Sequence, residues 1–297
     1  MSRVKHGLTT LLLGLARGLG RLPPTAARWL VRPLAPLLRL AMRRRRRIAE
    51  RNLVLCFPEL DDSARRWLLR LHFRNLTEMV AEMSMAWSRP GRLDRRFGAV
   101  EGLANLHAAR ENGGVLLITG HATCLELAGR LVAERVELAG VYRPLSNSAI
   151  ERFQNRGRSR YTIAMFPRHR LRDMIRHLRA GGVLWYAPDQ DFGPERSVFA
   201  PFFGHQTATA RAILDLARLG RARVVPMYPV KDEQSGRLTI HVEPAFDHFP
   251  GDDAVTDLGR FNAFLERWIR QAPGQYYWVH RRFKTTPAGV PSRYPEC

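Results

Sequence analysis

Apolar positions change their rhythm along this chain, and the changes mark out its elements. Over residues 61–87 (DDSARRWLLRLHFRNLTEMVAEMSMAW) an acidic start with a serine gives way to apolar residues at helical spacing. This predicts one long helix, ended by Pro90 and Gly91. Beyond it, short apolar runs of strand length alternate with amphipathic stretches. Strands are predicted at 97–101, 114–121, 137–143, 161–166, 182–187, 223–230 and 237–243, and helices near 103–111, 124–135, 147–157, 169–180, 208–219 and 254–271. Such alternation implies an α/β fold: a mixed, mainly parallel sheet flanked by helices on both faces. In sheets of this kind chemistry gathers where strands deliver their carboxyl ends, which directs attention to the loops after 114–121, 137–143 and 182–187.

The first 47 residues follow neither rhythm. HGLTTLLLGLA, eleven residues, is the longest uncharged run, and TAARWLVRPLAPLLRLAM leads into five consecutive arginines, Arg43 to Arg47. A spanning helix needs roughly 20 predominantly apolar residues, so a transmembrane segment is not indicated. No small-residue cleavage site follows, which also speaks against a secretory signal. The pattern predicts a helix or helix pair lying in a membrane interface, Leu side chains and Trp29 in the lipid and arginines reaching to phosphates. Residues 1–47 are thus read as a basic, apolar membrane anchor and 48–297 as one α/β domain. A solvated or RNA-binding basic arm is the alternative, and the density of leucine weighs against it.

Charge sharpens this division. The chain carries 48 Lys+Arg against 27 Asp+Glu, a formal +21, and residues 1–47 supply twelve basic residues with no acidic one. Such a surface seeks polyanions, either an anionic membrane or nucleic acid. Nucleic acid is the less favoured, since the aromatics sit in apolar runs such as FAPFF rather than alternating with arginines on one face. Three dispersed cysteines, Cys56, Cys124 and Cys297, form no CxxC pair and point to neither a disulfide framework nor a zinc site. A reducing, cytoplasm-facing compartment fits them.

Candidate chemistry lies at the suspected strand ends. Gly120-His-Ala-Thr-Cys-Leu-Glu126 places a histidine and a carboxylate with four residues between them. Within one regular helix that separation turns through about 140°, so the two can converge only if His121 sits on a strand-to-helix turn and Glu126 in the first turns of the helix. A carboxylate on one imidazole nitrogen fixes the tautomer and leaves the other as a base for a hydroxyl proton. A hydrogen-bonded loop histidine would explain His121 equally well. Cys124, within the same stretch, is a candidate thiol nucleophile or a small packing residue. After the strand at 182–187, Asp189 and Asp191 stand in a loop stiffened by Pro and Gly. Phe199, Phe202 and Phe203 follow, either as an apolar wall suited to a fatty chain or as core. Two basic clusters, Arg152 to Arg160 and Trp278 to Lys284, suit phosphates or an acidic carrier protein, or are solvated surface.

Five stretches, AERNLVLCFPEL (49–60), GGVLLITGHATCLELAGR (113–130), VYRPLSNSAIERFQNRGRSR (141–160), LRAGGVLWYAPDQDFGPERSVFAPFFG (178–204) and QYYWVHRRFKTTPAGVPSRY (275–294), resemble the late acyltransferases of lipid A biosynthesis, the lauroyl and myristoyl transferase family. That family is similar in turn to lysophospholipid and glycerolipid acyltransferases with an H-x4-D/E pair. The resemblance implies a catalytic pair of His121 and Glu126, with Glu126 orienting the imidazole. It also implies Arg158 and Asp189 as further active-site residues. A basic residue or backbone N–H groups must stabilise the oxyanion, and Arg158, positioned by Asp189, is the first candidate. It implies an acyl carrier protein thioester as donor, a hydroxyl of the hydroxyacyl chain on a Kdo-bearing lipid A precursor as acceptor, and the cytoplasmic face of a bacterial inner membrane as the location. No metal or redox cofactor is implied. Another lyso-lipid or aminolipid acceptor remains an alternative. Where the family has a membrane-inserted N-terminal helix, this chain interrupts its apolar stretch with Arg17 and Arg21.

Overall fold

The structure, a computed structural model, describes residues 2–294, with side chains throughout except at residues 2–6 and 8. Cys297 lies outside the described residues. The chain opens on helices α1 (Ser2–Leu19), α2 (Pro24–Val31), α3 (Ala35–Ala41), α4 (Arg43–Cys56) and the long α5 (Asp62–Ser88). The start of α5 is set by Asp61, whose carboxylate accepts the Ala64 N–H at 2.7 Å. Strands and helices then alternate through β1 (Gly98–Glu101), α6 (Leu103–Glu111), β2 (Val115–Ile118), α7 (Leu125–Ala133), β3 (Leu138–Tyr142), α8 (Ser148–Arg158), β4 (Ala164–Pro167), α9 (Leu171–Arg179) and β5 (Val183–Tyr186). The remainder is β6 (Ser197–Phe202), β7 (His205–Ala210), α10 (Ala212–Gly220), β8 (Arg223–Lys231), β9 (Leu238–Val242) and α11 (Ala254–Gln271).

Among the described residues, seven strands form one sheet in the order β1-β9-β8-β2-β5-β3-β4, parallel throughout except between β8 and β9. The apolar run of β2 lies between β5 and β8, and all four of its residues are wholly buried. This is why it reads as continuous apolar sequence rather than as an alternation. The predicted strand at 161–166 starts later, at Ala164, because the N–H groups of Tyr161 and Thr162 close a turn on the Arg158 carbonyl. Residues 208–210, assigned from sequence to a helix, belong instead to β7, which pairs antiparallel with β6 as a separate hairpin. Its two-residue loop has Phe203 at φ 48° and Gly204 at φ 73°, both left-handed as a tight hairpin requires. A phenylalanine in that position hid the turn, since Asn or Asp is the usual signal.

The N-terminal helices are bound to this body through buried charge. Glu78, on α5 and fully buried, accepts Arg28 Nε at 3.0 Å, Arg32 Nε at 2.6 Å and Lys231 Nζ at 2.9 Å. Lys231 also donates to Glu82 at 2.8 Å. Burial would push the Glu78 carboxyl up, yet Lys231 and the two arginines hold it at about 2. Ala27 and Val31 join the core alongside Arg28, so the inner face of α2 is part of the domain's packing. The boundary drawn at residue 47 falls inside α4, where Arg45 donates to the Val279 carbonyl at 3.0 Å and Arg46 pairs with Glu50.

The outer faces of the same helices are apolar and uncovered. Leu11, Leu12 and Leu15 on α1, Trp29 and Leu30 on α2, and Leu37 and Leu40 on α3 are each more than half exposed. Among the described residues no helix is long and apolar enough to cross a membrane.

The buried network yields a stability prediction. Lys231→Met removes the cation that serves two buried carboxylates, and breaking such a pair from one side costs about 3–5 kcal/mol. Denaturant unfolding is expected to show that loss, whereas Arg96→Ala, which breaks an exposed, solvent-screened pair with Asp94, should leave stability nearly unchanged. Similar losses from both substitutions would show that the buried network does not stabilise the fold.

Candidate active site

After Ile118 the chain leaves β2, turns, and enters α7 at Leu125, which puts His121 on the turn and Glu126 in the first helical turn. That is the arrangement the spacing demanded. The turn is held from outside by the C-terminal segment: Tyr277 donates its N–H to the His121 carbonyl at 2.8 Å, and Thr123 donates to the Gln275 carbonyl at 2.8 Å. Gly120 lets the turn lie close to α11 and the next loop. A Cβ there would stand 2.8 Å from Leu265 Cδ2 and 3.4 Å from Asp189 Oδ2.

The partners are exchanged relative to the sequence reading. His121, not Arg158, is the residue Asp189 positions: the carboxylate accepts the His121 N–H at 2.8 Å and a short hydrogen bond from Nδ1. Glu126 does not orient the imidazole. It forms a bidentate pair with Arg158, Nε to Oε2 at 3.1 Å and Nη2 to Oε1, and accepts Trp87 Nε1 at 2.7 Å. Strand register explains the first pairing. β2 and β5 are parallel neighbours with Ile118 opposite Tyr186, so His121 and Asp189, each three residues further on, arrive side by side. Helical rotation explains the second, because α7 carries Glu126 toward α5 and α8, where Trp87 and Arg158 wait.

Asp189 is 1 % exposed, and burial alone would raise its pKa. The imidazole charge, two hydrogen bonds from His121 and the nearby Arg282 hold it at about 2. An ionised carboxylate is only an acceptor, so Nδ1 carries the proton and Nε2 keeps a lone pair. For His121 burial disfavours the imidazolium, but the charge and hydrogen bond of Asp189, with Glu126 adding to them, hold the pKa above its ordinary value. The site therefore has a base that gains stability on taking a proton. Across the cleft, Arg158 has Nε and Nη2 engaged by Glu126, while Nη1 is buried with no partner.

His121, Glu126 and Arg158 line one cleft of about 240 Å³. Arg143 and Arg168 line it as well and were not singled out from sequence. They follow β3 and β4 directly, so the strand-end rule could have found them. Trp87 comes from α5, remote in sequence, and carried no signal. Phe192 is the phenylalanine at the cleft, while Phe202 and Phe203 are core, packed with Phe57, Tyr276, Trp278 and Phe283. Asp191 ties the loop to the C-terminal segment through the N–H and hydroxyl of Thr285 at 2.7 and 2.8 Å. Arg282, in the second basic cluster, is buried and donates to the Ala208 carbonyl at 2.6 Å. Cys124 is wholly buried, and the loss of water pushes its thiol pKa far up, which removes the thiolate that nucleophilic catalysis needs.

The sequence matches the family model for bacterial lipid A biosynthesis acyltransferases over residues 2–285. The chain belongs to that family. It is 40% identical over 255 residues to the lipid A biosynthesis lauroyltransferase of Escherichia coli K12, covering 85% of this chain and 83% of that one. It is 36% identical over 263 residues to the palmitoleoyltransferase of the same organism, covering 88% and 86%. With the myristoyltransferase it shares 32% over 248 residues, 82% and 76% of the two chains. The cleft at the strand ends is thus the candidate active site of a lipid A acyltransferase.

The His121–Asp189 geometry sets a pH dependence. A base with a raised pKa loses activity as pH falls through that value, so the acidic limb of the rate profile should lie above the ordinary histidine range. Asp189→Asn removes the interactions that raise the pKa and leaves burial to lower it. The acidic limb should then move to lower pH while turnover drops by about 10²- to 10⁴-fold. An acidic limb unmoved in the Asn variant would contradict this assignment.

Proposed function

We propose that this protein transfers a fatty acyl chain from an acyl carrier protein thioester to a hydroxyl of the hydroxyacyl chain on a Kdo-bearing lipid A precursor, at the cytoplasmic face of a bacterial inner membrane. The observation that carries the reading is the pairing of an Asp189-oriented His121 with a Glu126-held Arg158 across one cleft. His121 Nε2 takes the hydroxyl proton as the acceptor oxygen attacks the thioester carbonyl, and Asp189 stabilises the imidazolium that results. The free Nη1 of Arg158 supports the oxyanion, a contribution worth about 3 kcal/mol per donor. Collapse of the tetrahedral species breaks the carbon–sulfur bond, and the carrier thiolate takes the proton back from imidazolium. Glu126 and Trp87 act through Arg158, holding its guanidinium in place. Arg143 and Arg168 add positive charge at the cleft, suited to an anionic glycolipid or to an acidic carrier.

The exposed leucines and Trp29 support attachment without a span. Each fully buried Leu side chain contributes about 1.5–3 kcal/mol, and basic residues near an anionic leaflet add about 1 kcal/mol apiece. Arg43 and Arg44, both exposed at the start of α4, are placed to contribute in this way.

Two measurements test the reading. His121→Ala should lower acyl transfer by about 10²- to 10⁴-fold with folding intact. Mass spectrometry of lipid A from cells lacking the protein, then regaining wild type or variant, reads this directly as one acyl mass. Restoration of that mass at the normal rate by the His121 variant would end the mechanism. For attachment, Leu12→Ser with Trp29→Ser and Leu37→Ser should release the protein from phosphatidylglycerol vesicles yet leave turnover on micellar acceptor near wild type. Equal losses in vesicles and micelles would refute an anchoring role for this face.

A further inference from the structure

A second cavity, of about 640 Å³, opens where the α1–α2 turn meets the ends of α5, α7 and α8. Five guanidinium groups border it, from Arg21, Arg89, Arg92, Arg130 and Arg160, with Glu134 as the one carboxylate among the lining residues. Glu134 is already committed: one oxygen accepts Arg130 Nε at 2.8 Å and the other the Leu93 N–H at 2.7 Å. Arg130 spends its remaining groups on the carbonyls of Met85, Ala86, Arg89 and Gly91. Among the described residues the other four cations have no carboxylate partner. Arg89 donates to the carbonyls of Gly20, Arg21 and Leu22, and Arg92 to that of Glu134, so both are fixed by backbone. Arg160 makes one long contact, 3.4 Å, to the Trp87 carbonyl, and among the described residues Arg21 has no side-chain hydrogen bond or ion pair.

Four like charges around one cavity, two of them fixed, repel one another, and an anion between them relieves that repulsion. The surroundings narrow the kind of anion. Arg21 lies between α1 and α2, whose uncovered faces carry Leu15, Trp29 and Leu30, each more than 60% exposed. The cavity is thus bordered by the turn that joins two helices with uncovered apolar faces, and its own border is rich in guanidinium groups. The cavity also sits on the same helix as the cleft. Glu126, in the first turn of α7, lines the cleft, and Glu134, just past its end, the cavity, a rise of about 12 Å along the helix.

We propose that this cavity is a second anion site that seats the phosphate group of a membrane amphiphile, with Arg21 and Arg160 as its free donors and Arg89 and Arg92 as fixed positive charge. The phosphate belongs either to the acceptor glycolipid, an assignment that rests on the function proposed above, or to a bulk phospholipid headgroup. Guanidinium groups suit either, because their forked donors match phosphate oxygens.

The binding test uses the full chain in nonionic detergent, titrated calorimetrically with monomeric dihexanoyl phosphatidic acid. Arg21→Ala with Arg160→Ala should weaken binding about tenfold, as expected for losing one or two charge-assisted hydrogen bonds. Arg152→Ala with Arg156→Ala removes the same charge from exposed positions on α8 outside the cavity and should change binding less than about twofold. Dihexanoylglycerol, which lacks the phosphate, should not distinguish the proteins. Equal affinity of wild type and the cavity variant for the phosphatidic acid would overturn the proposal, as would equal losses in both double variants.

Acyl transfer in neutral micelles then separates the two sources. If the phosphate is the acceptor's, the cavity variant should show a KM about tenfold higher for phosphorylated acceptor, an unchanged kcat, and no difference on acceptor treated with phosphatase. If it is a bulk headgroup, KM should differ only once anionic phospholipid is added. A KM raised for the thioester donor alone would assign the cavity to the carrier protein and overturn the proposal. Absence of acyl transfer by the wild type would defeat the proposed function, while the calorimetric comparison would still decide the cavity.

Discussion

Glu78 is where the molecule is tied together. Cations from α2, from the residue following it and from β8 converge on one buried carboxylate, whose charge would be costly to bury without them. From Lys231 the linkage continues through backbone. Gln275 accepts the Lys231 N–H at 2.8 Å and donates to its carbonyl at 2.6 Å, and its own carbonyl receives Thr123 from the turn that bears His121. The N-terminal helices and the turn that bears His121 thus share one hydrogen-bonded frame. These helices pack one face into the α/β body and leave the other face apolar and exposed.

The two faces of these helices follow from opposite demands. Inward, α2 presents Ala27, Arg28 and Val31 to the core, with the arginine neutralised by Glu78. Outward, it presents Trp29 and Leu30, each more than 60% exposed, with the Arg32 guanidinium over the Trp29 ring. An uncovered apolar surface bordered by arginines matches a lipid interface better than bulk water, and it does so without a spanning helix.

Within the cleft the division of charge decides what each residue can do. Asp189 is buried against His121 and acts only through it. Glu126 is paired with the guanidinium of Arg158, so its charge reaches the imidazole through space rather than by a hydrogen bond. The result is a base backed by one carboxylate and a cation backed by another, with the lone pair of Nε2 and the free Nη1 as the unspent groups. Cys124 lies a few residues away in the same segment but is sealed from water, where a thiol stays protonated.

Local pattern was enough to locate most elements, because apolar periodicity is imposed by which face each segment buries. It was also enough to put His121 on a turn and Glu126 on a helix, since five steps along one helix would separate them. Membership of the lipid A acyltransferase family was likewise legible, carried by long stretches such as GGVLLITGHATCLELAGR and QYYWVHRRFKTT. The hairpin of β6 and β7 was not, because its left-handed turn is filled by Phe203, which no turn preference marks. Nor were the partners in the site. Which carboxylate meets which cation depends on the register of β2 against β5 and on the rotation of α7 toward Trp87 and Arg158, and no spacing along a single chain encodes either. The sequence by itself determined the groups available for chemistry and the segments that carry them. The packing of parallel strands and the α5 helix decided their pairing, because hydrogen bonds between side chains form across space that only the folded sheet closes.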